Sequence, residues 1–312
     1  LSSVLYNIDI PVPEEKMPLI PFSALLNTAR DHHFAVGYFQ AWNEDSLEAV
    51  LEAAEQTSSP VVLGFGGTPV NQRWFNEWGL SCAAALGRVA AQKSKVPVSF
   101  ILNEAETFEQ CVKGIELGFN VIMLDSSSLP FEENLKITKK LTAAAHKKNV
   151  AVQAELGHLP VGGKNTVSTR TDPDEAAIFV KKTGIDALAV SVGNVHELIT
   201  GKAKIDTALV EKIQNKTDIL LVIHGGTGFP SEAVKNVIRA GVALFHVGSI
   251  LKLNYYEGLK GSIEVNSSPD NIQRTVGSRE LEDFTTEGKI RVKNKVIELI
   301  KLYGSTGKAD LY

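Results

Sequence analysis

Side chains able to bind a cation or move a proton recur where short apolar runs of this chain stop. "PVSFIL" (97–102) leads into Asn103 and Glu104, "NVIMLD" (120–125) ends in Asp125, and "VAVQAEL" (150–156) holds Glu155. "ALAVSVG" (187–193) leads to His196, "ILLVIHG" (219–225) carries His224, and "LFHVGSI" (244–250) carries His246 ahead of Gly248 and Ser249. Imidazoles and a carboxylate from different strands could converge on one divalent cation and leave coordination positions open. The plainer alternatives stay open on spacing alone. A histidine at a strand end also serves as hydrogen-bonded structure. Glu104 also reads as a solvated charge ahead of Thr107, and Asp125 as the cap of the turn that follows it. Glu155 lies inside an apolar run, where a carboxylate needs a partner.

The second chemical signal is glycine. His224 is followed by Gly225, Gly226, Thr227 and Gly228. A tight turn needs a glycine or two for positive φ. A denser set lets backbone N–H groups approach an anion closely, and loops after the seventh and eighth strands of barrel folds bind phosphate in this way. Gly248 and Ser249 repeat the pattern after the eighth run. The residues expected to hold phosphate or substrate are therefore Gly225, Gly226, Thr227, His246, Gly248 and Ser249.

Such a site needs parallel strands that end on one face. Before the runs already quoted come "FAVGYF" (34–39) and "PVVLGF" (60–65), which makes eight in all. Most are continuously apolar, as parallel strands covered on both faces must be. Amphipathic segments separate them. Thr107 with Gln110 reads as a capping box that Gly118 closes, and Asp172-Pro173 starts another helix that Gly184 ends. Eight strand–helix units with right-handed crossovers predict an α/β (β/α)8 TIM barrel. No G-x-G-x-x-G follows the first strand, which argues against an open doubly wound sheet. One domain is expected over 1–312: a lead-in at 1–16, the barrel at 17–262, and a helical extension at 263–312.

The 312 residues suit one such barrel, and 44% hydrophobic with 22% charged residues is ordinary globular composition. A net charge of −4 without a basic run argues against nucleic acid. No apolar stretch approaches the ~20 residues of a membrane span. Two cysteines, Cys82 and Cys111, form no disulfide framework, so the cytoplasm is the expected compartment.

From about residue 17 to 309 the chain resembles the metal-dependent class II fructose-bisphosphate aldolases, particularly their tagatose-bisphosphate-like branch. The resemblance rests on "IPFSALLNTARDHHFAVGYFQAWNEDSLEAVLEAAEQTSSPVVL", "GFNVIMLDSSSLPFEENL", "VQAELG", "TGIDALAVSVGNVHELITGKAKID", "LVIHGGTG" and "LYGSTGKA", in the family's order. It implies a homodimeric or homotetrameric lyase that splits a phosphorylated ketose through a metal-stabilised enediolate. The metal implied is zinc, with manganese or iron as alternatives. His196 and His224 match two zinc-binding histidines, Glu155 the glutamate of strand 5, and Asp125 a supporting aspartate of strand 4.

The departures fall on the chemistry. The family's "LDHG" after strand 3 reads "LNEA" here, so Asn103 replaces the aspartate base and Glu104 a zinc-binding histidine. Glu197 replaces the usual glycine after His196, His246 a substrate-binding asparagine, and "GGKNTV" lacks a Glu-Asp pair. The expected metal set is thus Glu104, His196 and His224, and the expected catalytic groups are Asn103, Glu104 and Glu155. An amide cannot abstract a proton near neutral pH. A different metal-dependent enolate reaction on the same scaffold, or sugar-phosphate binding without catalysis, therefore remains the alternative.

Overall fold

The computed structural model describes residues 19–66, 71–162, 168–265 and 270–312. The lead-in and most of the "GGKNTV" loop lie outside those residues. Eight parallel strands close into a barrel in chain order. They are β1 (Val36–Phe39), β2 (Val61–Gly66), β3 (Val98–Ala105), β4 (Val121–Leu124), β5 (Ala151–Leu156), β6 (Ala187–Val190), β7 (Leu220–Ile223) and β8 (Val242–Val247). A short helix, α1 (Phe22–Asp31), precedes them. The crossovers carry α2 (Glu44–Gln56), α3 and α4 (Gln72–Trp74 and Leu80–Lys93, joined by a π-helical turn), α5 (Phe108–Leu117), α6 (Phe131–His146), α7 (Pro173–Thr183), α8 (Thr207–Thr217) and α9 (Ser231–Arg239). Then follow α10 (Ser249–Val265), a single turn α11 (Ile272–Thr275) and the long α12 (Thr286–Tyr303).

Alternation along the strands builds two cores. Residues such as Leu102, Val152, Leu221 and Phe245 face the helices in one cluster. Val36, Val62, Ile101, Val121, Val222 and Leu244 fill the lower barrel in a second cluster, which Phe22, Leu25 and Leu26 of α1 join. One pleat further along, the same inward rows change chemistry. Tyr38, Asn103, Gln153, Glu155, His224 and His246 are all buried. The interior is therefore apolar at its base and polar toward the C-terminal strand ends, where parallel barrels carry their chemistry.

Several expected boundaries move, each for a local reason. β6 stops at Val190 because Asn194 supplies the bonds a longer ladder would have made. Its Oδ1 accepts from Val192 N at 2.8 Å, and its Nδ2 donates to Val190 O at 3.2 Å and His224 O at 2.9 Å. β8 spans 242–247 rather than 244–250, since the carbonyl of Gly248 already accepts from Leu251 N and Lys252 N and so opens α10. β3 runs on to Ala105, with a register shift against β4 between Leu102 and Ala105. The caps of α7 form as expected, with Asp172 accepting from Asp174 N and Glu175 N. The box on α5 does not close. Thr107 caps Gln110 N, but the Gln110 side chain accepts from Glu106 N and donates to Gln72 and Asn76 instead.

Candidate active site

The register shift in β3 determines where the site begins. Glu104 sits at φ 50°, a left-handed conformation that costs a side-chain-bearing residue about 1–2 kcal/mol. Bulges of this kind re-aim a side chain at a barrel rim. Here Glu104 meets two histidines delivered by other staves. Its Oε1 lies 3.2 Å from His224 Nδ1 and 4.0 Å from His196 Nε2. His224 follows β7 directly, and its carbonyl is tied down by Asn194. His196 sits in the loop after β6, pinned through its N–H to Pro160 O and its carbonyl to Gly162 N.

Ligand atoms of Glu104, His196 and His224 all lie within 4.8 Å of one another. Tetrahedral bonds of about 2.1 Å space ligand atoms about 3.4 Å apart. The Glu104–His224 edge already has that length, and the His196 edges are longer. His224 Nδ1 supplies the sharper test of fit. It is 3.2 Å from Glu104 Oε1 and 3.1 Å from Glu155 Oε2, yet it has no properly directed hydrogen bond and is buried. A ring nitrogen held between two carboxylates at these distances is a place for positive charge, which a proton or a divalent cation can supply.

Other polar atoms nearby are also without protein partners. Among the described residues, six buried side-chain nitrogen or oxygen atoms lack one, and four of these belong to Tyr38, Asn103, His224 and His246. All four residues line one cavity of about 100 Å³, open to solvent, together with Glu104, His196, Thr227 and Ser249. Three imidazoles stand in a row across it. His196 and His224 ring centroids are 5.7 Å apart, His224 and His246 4.2 Å, each pair tilted by 20°. Tyr38 packs on the far side of His246 at 4.5 Å.

The electrostatics follow from this crowding. Burial opposes a charged Glu104, but His224, His196 and Lys252 outweigh it and hold the carboxyl down to about 2. Burial likewise opposes a charged His224, and Glu104 with Glu155 raise the imidazole to about 10. His246 is driven well below the usual histidine value by burial and by its two histidine neighbours. Tyr38 is driven well above the usual phenol value by burial and Glu104, so it stays a hydrogen-bond donor.

The anion side is built from turns that tolerate nothing larger than glycine at two points. Gly225 has φ 69°, and a Cβ there would lie 2.3 Å from Val195 O; one on Gly226 would lie 2.8 Å from His246 O. Thr227 Oγ1 accepts from Ile250 N at 3.2 Å, which joins the glycine loop to the start of α10. Gly225, Thr227, Gly248 and Ser249 line the cavity, whereas Gly226 lies buried behind it.

Besides Gly226, two expected residues stand outside the cavity lining. Glu155 is buried and supports His224 from below. Asp125 is solvent-exposed and accepts from Ser127 Oγ at 3.1 Å, which matches the turn-capping alternative. Its carboxyl is raised by partial desolvation at the rim and by the charges of Glu104 and Glu155. Sequence reasoning missed Gln40, Gln153 and Lys252. Lys252 carried a usable signal, since it lies one helical turn beyond Gly248 in "GSILK". Gln153 carried a similar one, two residues before Glu155 on the same strand face.

The chain is similar to known proteins along most of its length. Residues 21–308 match the family model described as "Fructose-bisphosphate aldolase class-II". The chain is 32% identical to the fructose-bisphosphate aldolase of Geobacillus stearothermophilus over 298 residues, covering 94% of this chain and 99% of that one. It is 34% identical to the probable fructose-bisphosphate aldolase of Bacillus subtilis over 281 residues, covering 88% and 97%. The crystal structure of the YdjI aldolase from Escherichia coli K12 superposes with a TM-score of 0.77 at 29% identity, covering 93% of this chain and 99% of that chain.

Proposed function

Because the chain belongs to the class II fructose-bisphosphate aldolase family, we propose that it is a metal-dependent lyase cleaving a phosphorylated ketose or related sugar phosphate. The observation that carries this reading is the buried Nδ1 of His224, held between the carboxylates of Glu104 and Glu155 without a directed hydrogen bond to either. Glu104, His196 and His224 would hold a divalent cation, zinc before manganese or iron. When bound there, the cation supplies a Lewis acid for the substrate carbonyl.

This chain's own groups do the rest. Gly225, Thr227, Gly248 and Ser249 offer backbone and hydroxyl groups to the phosphate, with the Lys252 ammonium beside them and Gly226 shaping the turn from behind. Tyr38 and His246 close the opposite end with polar atoms that a sugar hydroxyl or carbonyl can satisfy. Asn103 orients a substrate hydroxyl but cannot take its proton. Two glutamates line the cavity, Glu104 and Glu197. With Glu104 committed to the cation, Glu197 is the carboxylate left to accept that proton. Asp125 acts from the rim through its charge alone.

Incubation of the zinc- or manganese-loaded protein with ketose mono- and bisphosphates tests the reading. Release of two smaller carbonyl compounds is the expected result, and no cleavage or condensation with any of them would sink it. Asn103 specifically favours a second reading, a metal-dependent enolate reaction without carbon–carbon cleavage. Solvent deuterium entering a carbonyl substrate that stays intact would identify that reaction.

A further inference from the structure

Gln153 stands between two of the three stacked imidazoles. Its Nε2 lies 2.9 Å from His224 Nε2 and its Oε1 lies 3.2 Å from His246 Nε2, and the side chain is fully buried. A primary amide has one donating end and one accepting end. Two histidines that both address it through Nε2 therefore cannot be in the same state; one must donate and the other must accept.

His224 decides which. With a cation on its Nδ1, as in the reading above on which this inference rests, the ring hydrogen sits on Nε2 and must be donated. With a proton there instead, flanked by the carboxylates of Glu104 and Glu155 at 3.2 and 3.1 Å, the doubly protonated ring still donates from Nε2. The oxygen of Gln153 must then face His224, with the amide turned half a revolution. Amide ends are alike in shape, and their hydrogen-bond partners assign them. The turn forfeits a 3.1 Å contact of Nε2 with Met123 Sδ, a weak acceptor. In return the NH2 group meets His246 Nε2, which has to be a bare lone pair.

We propose that Gln153 holds His246 as its neutral Nδ1–H tautomer, which makes His246 a hydrogen-bond donor to a substrate oxygen in the cavity. Three observations converge on this. His246 Nδ1 is buried with no protein partner, its ring lines the cavity, and the ring is gripped between Tyr38 and His224. The ligand chemistry it selects is an electron-rich oxygen, a carbonyl or the oxyanion it becomes, rather than a group with only hydrogens to offer. Gln153 is a positioning residue that acts through His246.

Long-range 1H–15N correlation spectra of the 15N-labelled full chain, recorded before and after zinc titration, test the proposal, with His246→Asn used to assign the ring. The expected spectrum has His246 Nδ1 in the protonated range and Nε2 in the bare range. The reverse pattern, or both nitrogens protonated, overturns it. Gln153→Glu accepts at both ends, so His246 should invert to its Nε2–H form while zinc uptake persists. With the donor lost, kcat should fall by about 100-fold. An unchanged tautomer in that variant also overturns the proposal. If zinc does not bind, the metal reading fails separately, and the tautomer is judged on the zinc-free spectrum.

Discussion

A carboxylate in place of a third imidazole changes what the residues ask of their cation. In the proposed ligand set Glu104 adds a negative charge, so a divalent ion there would be a weaker Lewis acid than one held by histidines alone. Glu104→Ala should lower zinc affinity by about 100-fold or more, since losing even a supporting group costs 10–100-fold; competition against a chelator of known affinity measures it. Asn103→Asp should raise ketose phosphate cleavage by roughly 100-fold, the lower end of general base catalysis, and an unchanged rate would show that the missing base is not what limits the reaction. The His224 and Glu104 shifts also determine a pH profile for the zinc-free protein. A raised imidazole stabilises the fold fully below 6.5 and loses that contribution as pH climbs toward about 10. A lowered carboxyl stabilises fully above 4.5 and loses it as pH falls toward about 2. The pair therefore contributes most between pH 4.5 and 6.5. The zinc-free melting temperature should fall from pH 6.5 toward 10, and the gain on adding zinc should grow over the same range. Thermal melts at constant ionic strength would expose a flat profile, which the account does not allow.

At the scale of elements, the cavity depends on helices packed around and behind it. The first turn of α10 carries Lys252 into the cavity, and the same helix is tied to α2 through Tyr255 Oη, which donates to Asp45 Oδ2 at 2.8 Å. On its other side α10 crosses α12 at Gly258, where a Cβ would lie 2.5 Å from Gly288 Cα. α12 itself buries Val292, Val296, Leu299, Ile300 and Tyr303 and pairs Lys289 with Glu48 and Glu52 of α2. α12 thus spends its apolar face within this chain. Gly258→Ala should destabilise the fold by about 1–3 kcal/mol, as overpacking does, and a denaturant titration reads the loss directly. Elements of this kind were legible where their signals were local. Asp172, Pro173, Gly184 and Gly118 marked helix ends as they stand. What sequence could not show was competition from distant groups: Asn194 shortening β6, or Gln72 and Asn76 drawing Gln110 out of its expected box.

Across the whole molecule, eight short runs, most of them continuously apolar, were enough to read a parallel barrel, because strands covered on both faces permit little else. The same reading placed Glu104, His196 and His224 on one rim, and they do meet there. It did not foresee the depth of the polar layer beneath them. Gln153 sits in an apolar-looking strand, and Tyr38 looks like any core aromatic until its hydroxyl is found without a partner. Such residues differ from ordinary core only in what faces them across the barrel, which depends on closure rather than on spacing. No helix among the described residues is long and apolar enough to cross a membrane, and with a net charge of −4 a basic groove for nucleic acid is not the organising feature. The organising feature of the proposed function is one cation site under a small anion-binding rim. Anomalous diffraction at the zinc edge, from crystals grown with zinc, tests that claim most directly. A single peak within bonding distance of Glu104, His196 Nε2 and His224 Nδ1 is the predicted result; zinc bound elsewhere, or bound without Glu104, would contradict it.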